Sequence, residues 1–411
     1  MVERQAPGRV AAPGPSSDTS GPVSLSDYAT LDQPAAKSGL PDLDRVLGQG
    51  LQPASAVLLG GEPGIGKSTL LLQLAGQVAK SGHKAVYFSA EESLGQLASR
   101  AKRLGLDHPG LMAVCSTQAG QAADILASAE APALLVVDSV QTMVSSAADG
   151  VPGSPGQVRA VASELVEAVK KSGSCLMLVG HVTKEGLIAG PKMLEHMVDT
   201  VLYLEGDRGH FFRILRVFKN RFGPTDELLV LEMLGGGLVP VPDSSTYFLG
   251  DRDLTASGSA VVLAMEGKRP FAVEVQALAS KSFLAIPRRT ALGLDLNRLN
   301  LLLAVLEKRL GVGLGQWDIY AKTGGGLKLS DPGLDLGLVA AVLSSYYDRP
   351  LPGGAVFWGE VDLSGRVRPV AGQDTRLKQA KRLGYGPIFH PEGKGSLNLK
   401  DFQKALFGAK S

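Results

Sequence analysis

The residues with the clearest chemical potential lie in a short glycine-containing stretch, residues 61–69. They fit the pattern G-x-x-x-x-G-K-[ST], which wraps nucleotide phosphates, and read in order Gly61, Glu62, Pro63, Gly64, Ile65, Gly66, Lys67, Ser68 and Thr69. The glycines let backbone N–H groups turn towards the phosphates, and a helix N-terminus adds a partial positive charge. We expect Lys67 to reach the β- and γ-phosphates and the Ser68 hydroxyl to ligate Mg²⁺.

The segments on either side of this stretch favour phosphate binding over an ordinary glycine turn. Residues 56–59 form an apolar run that predicts a buried strand. Leu70, Leu71, Leu74 and Val78 follow at helical spacing. A strand before the loop and a helix after it is the context in which the pattern binds a nucleotide. The residues therefore predict ATP and Mg²⁺ as ligands.

Carboxylates follow two other predicted strands. Asp138 ends the apolar run 134–137, and we expect it to hold a water of the metal; the alternative is a helix cap, a role that Ser139 can also fill. Glu91 and Glu92 follow the strand 86–89, at the edge where ligands bind in parallel sheets. One of them is predicted to orient or deprotonate the attacking water. A solvated pair at the start of a helix is the alternative.

Beyond these carboxylates, a histidine and two polar loops are placed to sense or contact a ligand. His181 follows the run 175–180 and either bonds the γ-phosphate or is a structural histidine. The stretch 183–192 carries Lys184 and Lys192, and the stretch 145–157 is similarly polar. Flexible loops at the ligand edge suit contact with a polymer backbone, and plain surface loops are the alternative.

Two cations and a turn fall within the five residues Lys219-Asn220-Arg221-Phe222-Gly223. One interpretation is a basic hairpin end. The other is an arginine-finger device that reaches the phosphates of a neighbouring subunit, or DNA. Under the second interpretation, Lys219 and Arg221 belong to the catalytic set.

Composition limits the function classes. The chain has 411 residues, of which 44% are hydrophobic and 20% charged, a composition typical of a globular protein. Its net charge of +2 does not indicate a nucleic-acid-binding protein overall, so any such surface must be local. Cys115 and Cys175, the two cysteines, lie in apolar runs and predict buried thiols rather than disulfides or a four-cysteine zinc site. No apolar run is long enough for a membrane span or a signal core, which predicts a cytoplasmic protein without membrane partners.

The order of elements predicts an α/β protein with three parts. Residues 1–36 are rich in Pro, Gly, Ser and Ala and predict a disordered tail. Residues 37–250 alternate strands and helices, which predicts a mainly parallel sheet ending in an antiparallel hairpin at the sheet edge around residues 206–209. Residues 235–258 read as a connector. An α+β domain is predicted over 251–411, with strands at 260–265 and 271–275 and an amphipathic helix at 294–310.

Seven blocks of the sequence resemble the bacterial RadA/Sms DNA-repair family. They are residues 38–48, 61–69, 89–93, 137–139, 181–186, 194–200 and 219–223, and the resemblance covers about residues 38–411. It implies a RecA-like P-loop ATPase core followed by a Lon-protease-like domain. It also implies a homo-hexameric ring that drives branch migration on single-stranded and branched DNA, with a RecA-type recombinase as a partner.

The same resemblance assigns roles by motif. Glu91 matches the water-activating glutamate, Asp138 the aspartate of the Mg²⁺ site, and His181 the sensor position. Lys219 and Arg221 match the family motif that couples ATP to work on DNA. The loop lysines Lys184 and Lys192, named above, would then contact DNA.

The chain departs from the family pattern in two ways. Family members usually begin with a four-cysteine zinc module, which this chain lacks, so zinc is not expected here. Lon proteases use a serine and a lysine, whereas Asp335 and Asp374 fall at those positions by eye. A carboxylate can replace neither the nucleophile nor the amine base. The resemblance therefore implies a non-proteolytic scaffold for ring assembly and DNA contact.

Local basic clusters allow DNA contact by this second domain. Residues 374–411 carry a surplus of Lys and Arg, and a further cluster contains Lys281, Arg288, Arg289 and Arg298. A solvated surface is the alternative interpretation. Two rival functions remain open from the sequence: an ATP-dependent protease, and a RecA-like signalling ATPase that does no work on DNA.

Overall fold

The computed structural model describes residues 34–181, 191–206, 212–225, 227–241, 249, 253, 255–266, 269–324, 329–391 and 397–408. The chain divides into two compact units. The first comprises Met1–Glu205, Leu215–Thr225 and Met233–Leu238; the second comprises Gly206–Ile214, Asp226–Glu232 and Val239–Ser411. This division assigns residues 239–250 to the second unit, whereas the predicted boundary lies between residues 250 and 251.

A nine-stranded sheet with the order β3-β2-β4-β5-β1-β6-β7-β8-β9 contains the predicted strands. Its strands are β1 Ser55–Gly61, β2 Ala85–Ser89, β3 Leu111–Cys115, β4 Leu134–Asp138, β5 Cys175–His181, β6 Thr200–Glu205, β7 Phe212–Asn220, β8 Leu228–Leu234 and β9 Gly237–Pro240. The pairs from β3 through β6 are all parallel. The predicted α/β class with a mainly parallel sheet is therefore confirmed.

Apolar runs form these strands because both faces of the sheet are covered. Every residue of β1, β2 and β4 is buried. The helices of this part are α1 Pro41–Val46, α2 Lys67–Lys80, α3 Leu94–Arg103, α4 Ala119–Ala127, α5 Pro155–Lys171 and the short α6 Pro191–Leu194. Helices α4 and α5 contribute Ala122, Leu126, Val161 and Leu165 to a core shared with the strands.

The register aligns the carboxyl ends of the central strands. Gly61 at the end of β1 pairs with His181 at the end of β5. Ser89 at the end of β2 pairs with Asp138 at the end of β4. The groups that follow these strands therefore meet at one edge of the sheet, as the sequence predicts.

Three sequence expectations in this unit are wrong. The hairpin β6–β7 does not lie at the sheet edge, because β8 and β9 continue the sheet beyond it. The predicted connector 235–258 contains β9. Cys115 is exposed rather than buried, because β3 is the outer strand on its side of the sheet.

The predicted loop 145–157 also needs revision. Pro155 already starts α5, so the predicted loop 145–157 ends earlier than expected. Gln157 is buried, and its side chain bonds the backbone N–H of Ser145 at 2.8 Å. At the amino terminus, the predicted tail of 1–36 lies outside the described residues except for its last three. Among these, Ala36 exchanges backbone hydrogen bonds of 2.9 and 2.8 Å with Leu51.

The second unit is an α+β arrangement around a six-stranded sheet with the order β12-β13-β11-β10-β14-β17. Its strands are β10 Ser259–Glu266, β11 Arg269–Lys281, β12 Arg289–Leu292, β13 Trp317–Thr323, β14 Val356–Phe357 and β17 Ile388–Phe389. The predicted strands 260–265 and 271–275 are confirmed, and they form the antiparallel pair β10–β11.

Helices and a small second sheet complete this unit. The helices are α7 Leu296–Val305, which continues as a π-helical turn Leu306–Leu310, α8 Leu334–Tyr347, α9 Gln373–Arg382 and α10 Leu399–Phe407. The small sheet has the order β15-β16-β18, with strands Glu360–Val361, Arg366–Arg368 and Leu397–Asn398. Helix α8 is buried over most of its length and packs on β10 and β11.

Candidate nucleotide site

The predicted phosphate loop runs from the end of β1 to the start of α2. Gly64 and Gly66 have φ values of +76° and +118°, a left-handed conformation that favours glycine. Gly66 is the residue before the first turn of α2 and has no side chain with which to cap it. A bound anion is therefore a suitable partner for the first N–H groups of this helix.

Lys67 folds back over the loop. Its Nζ donates to the carbonyl oxygens of Gly61 at 2.8 Å and Glu62 at 2.9 Å. Burial lowers the pKa of Lys67 from 10.5 to about 8, although the charges of Asp138 and Glu91 act in the opposite direction. The loop thus holds a lysine that interacts electrostatically with the two predicted carboxylates, Asp138 and Glu91.

Asp138 is held by a tyrosine. The Tyr87 hydroxyl donates to Asp138 Oδ2 at 2.6 Å and lies 3.5 Å from the carbonyl oxygen of Ser68. Tyr87 is fully buried, and burial together with Asp138 raises its pKa well above 10.0, so the hydroxyl remains a donor. The tyrosine links the predicted metal-site aspartate to the helix that carries the predicted metal ligand Ser68.

The structure separates the roles of the two adjacent glutamates. Glu92 forms an ion pair with Arg100 on α3, and its backbone N–H donates to Ser89 Oγ at 2.9 Å. Glu91 is exposed and accepts a hydrogen bond from the Ser139 hydroxyl, one residue beyond Asp138. Glu91 therefore faces the Asp138 side of the site, whereas Glu92 is turned to α3.

These residues fit a magnesium–nucleotide ligand. Mg²⁺ is usually held by one or two protein oxygens together with phosphates and waters, and Ser68 and Asp138 supply such oxygens. His181 reaches this edge by its position in β5; its side chain lies outside the described residues, as do Lys184 and the side chain of Lys192.

Lys219 and Arg221 lie at the other edge of the sheet. Arg221 Nη1 donates to Asp199 Oδ1 at 3.1 Å, and Asp199 Oδ2 accepts from the backbone N–H of Ala56 at 3.0 Å. Ala56 is near the start of β1, and the five steps from Ala56 to Gly61 span roughly 17 Å. The structure therefore does not bring Lys219 and Arg221 to the phosphate loop of their own chain.

Three sequence blocks surround this second cluster. Lys219 Nζ donates to the carbonyl oxygens of Glu195 at 2.8 Å and Val198 at 2.7 Å, at the turn that precedes β6. A Cβ built on Gly223 would lie 2.8 Å from the Cα of Gly48, so these two glycines allow a close backbone approach. The blocks 38–48, 194–200 and 219–223 thus meet at the amino edge of the sheet.

The predicted cations of the second unit are of two kinds. Arg288 is exposed. Arg289, in contrast, donates to the carbonyl oxygens of Trp317 and Leu314. Arg298 forms an ion pair with Asp335. Within the predicted basic cluster 374–411, Arg376 is not a surface residue. It is buried and forms an ion pair with Asp331 at 2.8 Å, so the predicted basic surface is wrong at this position.

The two positions expected to depart from a serine–lysine protease have different environments. Asp335 is buried in α8, bonded by the Arg298 guanidinium and by the backbone N–H of Val361 at 2.9 Å. Asp374 is exposed in the first turn of α9. Asp335 is thus a structural carboxylate.

Sequence reasoning missed the contacts of Tyr87, Ser139 and Asp199. Tyr87 reads as one more apolar residue of a strand, and only the register of β2 with β4 brings it beside Asp138. Asp199 carries a weak signal, an acid directly before the largely apolar strand β6. Its partners are distant in the chain, so no local pattern could identify them.

Comparisons with known proteins identify a matching family and relatives of this chain. The model of the AAA domain family matches residues 23–187. The DNA repair protein RadA of Brucella abortus (strain 2308) is 46% identical over 370 residues, covering 89% of this chain and 79% of that protein. The RadA protein of Bacillus subtilis (strain 168) is 45% identical, covering 90% and 81%. That of Streptococcus pneumoniae (strain ATCC BAA-255 / R6) is 45% identical, covering 90% and 88%.

The domain match and the fold together make the first part of the chain a RecA-like P-loop ATPase core, followed by an α+β region. Within the described ranges, no helix is both long enough and apolar enough to cross a membrane.

Proposed function

Because this chain belongs to the RadA family of DNA repair proteins, we propose that it is a DNA-stimulated ATPase that drives branch migration of recombination intermediates. It acts in the cytoplasm as a homo-hexameric ring on single-stranded and branched DNA, with a RecA-type recombinase as a partner. The observation that carries the proposal is the separation of two clusters. The phosphate loop lies at the carboxyl edge of the sheet and the Lys219–Arg221 motif at its amino edge.

Within the carboxyl-edge cluster each residue has one task. ATP with Mg²⁺ supplies the transferable phosphoryl group and neutralises its charge when bound. The N–H groups of residues 64–69 and Lys67 hold the phosphates, and Ser68 and Asp138 hold the metal side. Glu91 orients the attacking water and accepts its proton, while the Ser139 hydroxyl holds the Glu91 carboxylate in place. His181 senses the γ-phosphate at the end of β5.

Arg221 completes the site of a neighbouring subunit. A finger that cannot reach its own phosphates is useful only in an assembly in which one copy's amino edge meets another copy's phosphate loop. Lys219 donates hydrogen bonds to the turn 195–198. In the sequence this turn follows shortly after the predicted DNA contacts Lys184 and Lys192, so Lys219 is placed to couple the interface to them. Arg288 and Arg289 are the proposed DNA contacts of the second unit. Arg288 is the more accessible of the two, because the Arg289 guanidinium also donates to two backbone carbonyl oxygens.

The test is ATP turnover measured with and without single-stranded DNA. We expect DNA to raise turnover and Lys67→Ala to abolish it without unfolding the protein. Lys80→Ala, at the exposed far end of the same helix, is the matched control and should behave like the unmodified chain. A turnover that DNA leaves unchanged would refute the motor function and favour a signalling ATPase.

Branch migration itself is tested on a synthetic three-strand junction. Lys219→Ala should bind nucleotide normally and fail to move the junction. Junction movement at the normal rate would remove Lys219 from the coupling role. Casein digestion with ATP examines the protease alternative; the buried ion pair of Asp335 predicts none.

A further inference from the structure

Arg221 is attached to the fold through one buried carboxylate. Asp199 is buried at the amino edge of β6, and its Oδ1 accepts from Arg221 Nη1 at 3.1 Å. The backbone N–H of Arg221 donates to the Asp199 carbonyl oxygen at 3.2 Å. The same residue therefore contacts both the main chain and the side chain of the proposed finger.

The other contacts of Asp199 anchor it to the ATPase core. Its Oδ2 accepts from the Ala56 N–H at 3.0 Å and from Lys170 Nζ, at the end of α5, at 2.7 Å. Its own N–H donates to the Ala56 carbonyl oxygen at 2.9 Å. Asp199 is thus bonded to the strand that leads into the phosphate loop and to the helix that precedes β5.

Charge balance leaves Arg221 available to a ligand. A buried carboxylate needs one compensating cation, and Lys170 supplies it at the shorter distance. The Arg221 side chain is 59% exposed, so most of its surface faces solvent rather than Asp199. Arg221 is consequently oriented by the carboxylate without being required to neutralise it.

We infer that Asp199, with Lys170 as its counter-ion, is a positioning residue that aims Arg221 at the phosphates bound by a neighbouring copy of this chain. The inference rests on the proposed function, because it needs Arg221 to act between subunits. A finger contributes about 10³–10⁵ to turnover, and a misplacement of ~1 Å costs about 10²-fold, so aim matters as much as charge.

Asp199→Asn keeps the shape of the side chain and removes its charge. We expect ATP turnover about 10- to 100-fold lower, with unchanged affinity for a fluorescent ADP analogue. Lys170→Met should lower turnover in the same direction. Lys171→Met is the matched control, because Lys171 lies beside Lys170 but pairs with Glu167 on the surface. The double variant Asp199→Asn with Arg221→Ala should be no slower than Arg221→Ala alone.

Mixing of subunits separates aim from stability. Lys67→Ala subunits have a dead pocket and an intact finger, whereas Asp199→Asn subunits have an intact pocket and a misdirected finger. When the two variants are mixed in equal amounts and assemble at random, each head-to-tail interface pairs the pocket of one subunit with the finger of the next. Half of the pockets and half of the fingers are intact, so about a quarter of the interfaces, and about a quarter of the unmodified turnover, should be restored. No recovery means that Asp199 serves its own pocket or only stability, and overturns the inference.

The two levels of the argument fail in different ways. If Arg221→Ala turns over ATP at the normal rate, the finger between subunits is wrong and the inference falls with it. If Arg221→Ala is slow but Asp199→Asn and Lys170→Met are normal, the finger stands and only the positioning role is wrong.

Discussion

Lys67 carries the chemistry of the phosphate loop, and its protonation determines where nucleotide binding depends on pH. Its pKa is lowered to about 8 by burial, despite Asp138 and Glu91. Below that pH the Lys67 side chain is already protonated in the nucleotide-free protein. Above it the free lysine is neutral, so binding must take up a proton. We expect the affinity for ATP to fall by at most about tenfold per pH unit above pH 8.

The measurement is the dissociation constant of ATP between pH 7 and 10, with Lys67→Arg as the comparison. Arginine stays charged throughout this range, so the variant should lose the pH dependence even if its affinity is lower. An equal fall in both proteins would assign the effect to another group.

Tyr87 is the second residue whose chemistry can be isolated. Removing its hydroxyl by Tyr87→Phe deletes the 2.6 Å bond to Asp138 and leaves the ring in the core. Because second-sphere partners align metal-site oxygens, we expect the Mg²⁺ concentration for half-maximal turnover to rise about 10-fold. The readout is turnover against Mg²⁺ at saturating ATP. A curve that falls in height without shifting along the Mg²⁺ axis would contradict this role.

At the scale of elements, the close approach of Gly48 and Gly223 holds the segment 219–223, which carries the proposed finger, against the turn that follows α1. Gly223→Ala would place a methyl group 2.8 Å from the Gly48 Cα. Such overpacking should lower the free energy of unfolding by about 1–3 kcal/mol and displace Arg221. We expect slower turnover with unchanged affinity for ATP.

The control for this substitution is Gly235→Ala, where the added methyl group would meet no described atom within 4 Å. Thermal unfolding and turnover of both variants give the comparison. Equal behaviour of the two variants would show that the close approach does not hold the finger.

The strands that could be predicted are those whose sequence is a continuous apolar run, because such a run indicates burial in the sheet. Strands β1, β2, β4, β5 and β6 are largely buried apolar runs, a pattern that predicts a parallel sheet but neither its strand order nor its register. Strand β9 was missed because its Gly237 and Pro240 read as a connector, yet proline is tolerated in outer strands.

The candidate site divides in the same way. The phosphate loop, Asp138 and the Glu91–Glu92 pair are local motifs that sequence alone identifies. The choice of Glu91 over Glu92 depends on Arg100 and Ser139, and the anchoring of Arg221 depends on Asp199 and Lys170. These contacts join residues distant in the chain, so only the fold brings them together.

At the scale of the whole molecule, the proposed action of Arg221 between subunits predicts that ATP turnover depends on assembly. Among the residues that the structure describes, a lone subunit has the phosphate loop, Glu91 and Asp138 at one edge of its sheet and the proposed finger Arg221 at the other. We therefore expect ATP turnover per subunit to rise with protein concentration across the range where rings form, while the affinity for ATP stays nearly constant. Arg221→Ala should turn over ATP slowly at every concentration.

Sedimentation of the same samples gives the ring fraction at each concentration. Turnover per subunit should follow that fraction, because each interface completes one pocket. Adding DNA at low salt should move both curves to lower protein concentration together, since a polymer that contacts several subunits favours their assembly. Turnover that stays constant while the rings dissociate would mean that one subunit contains a complete site, and it would refute the role of Arg221 between subunits.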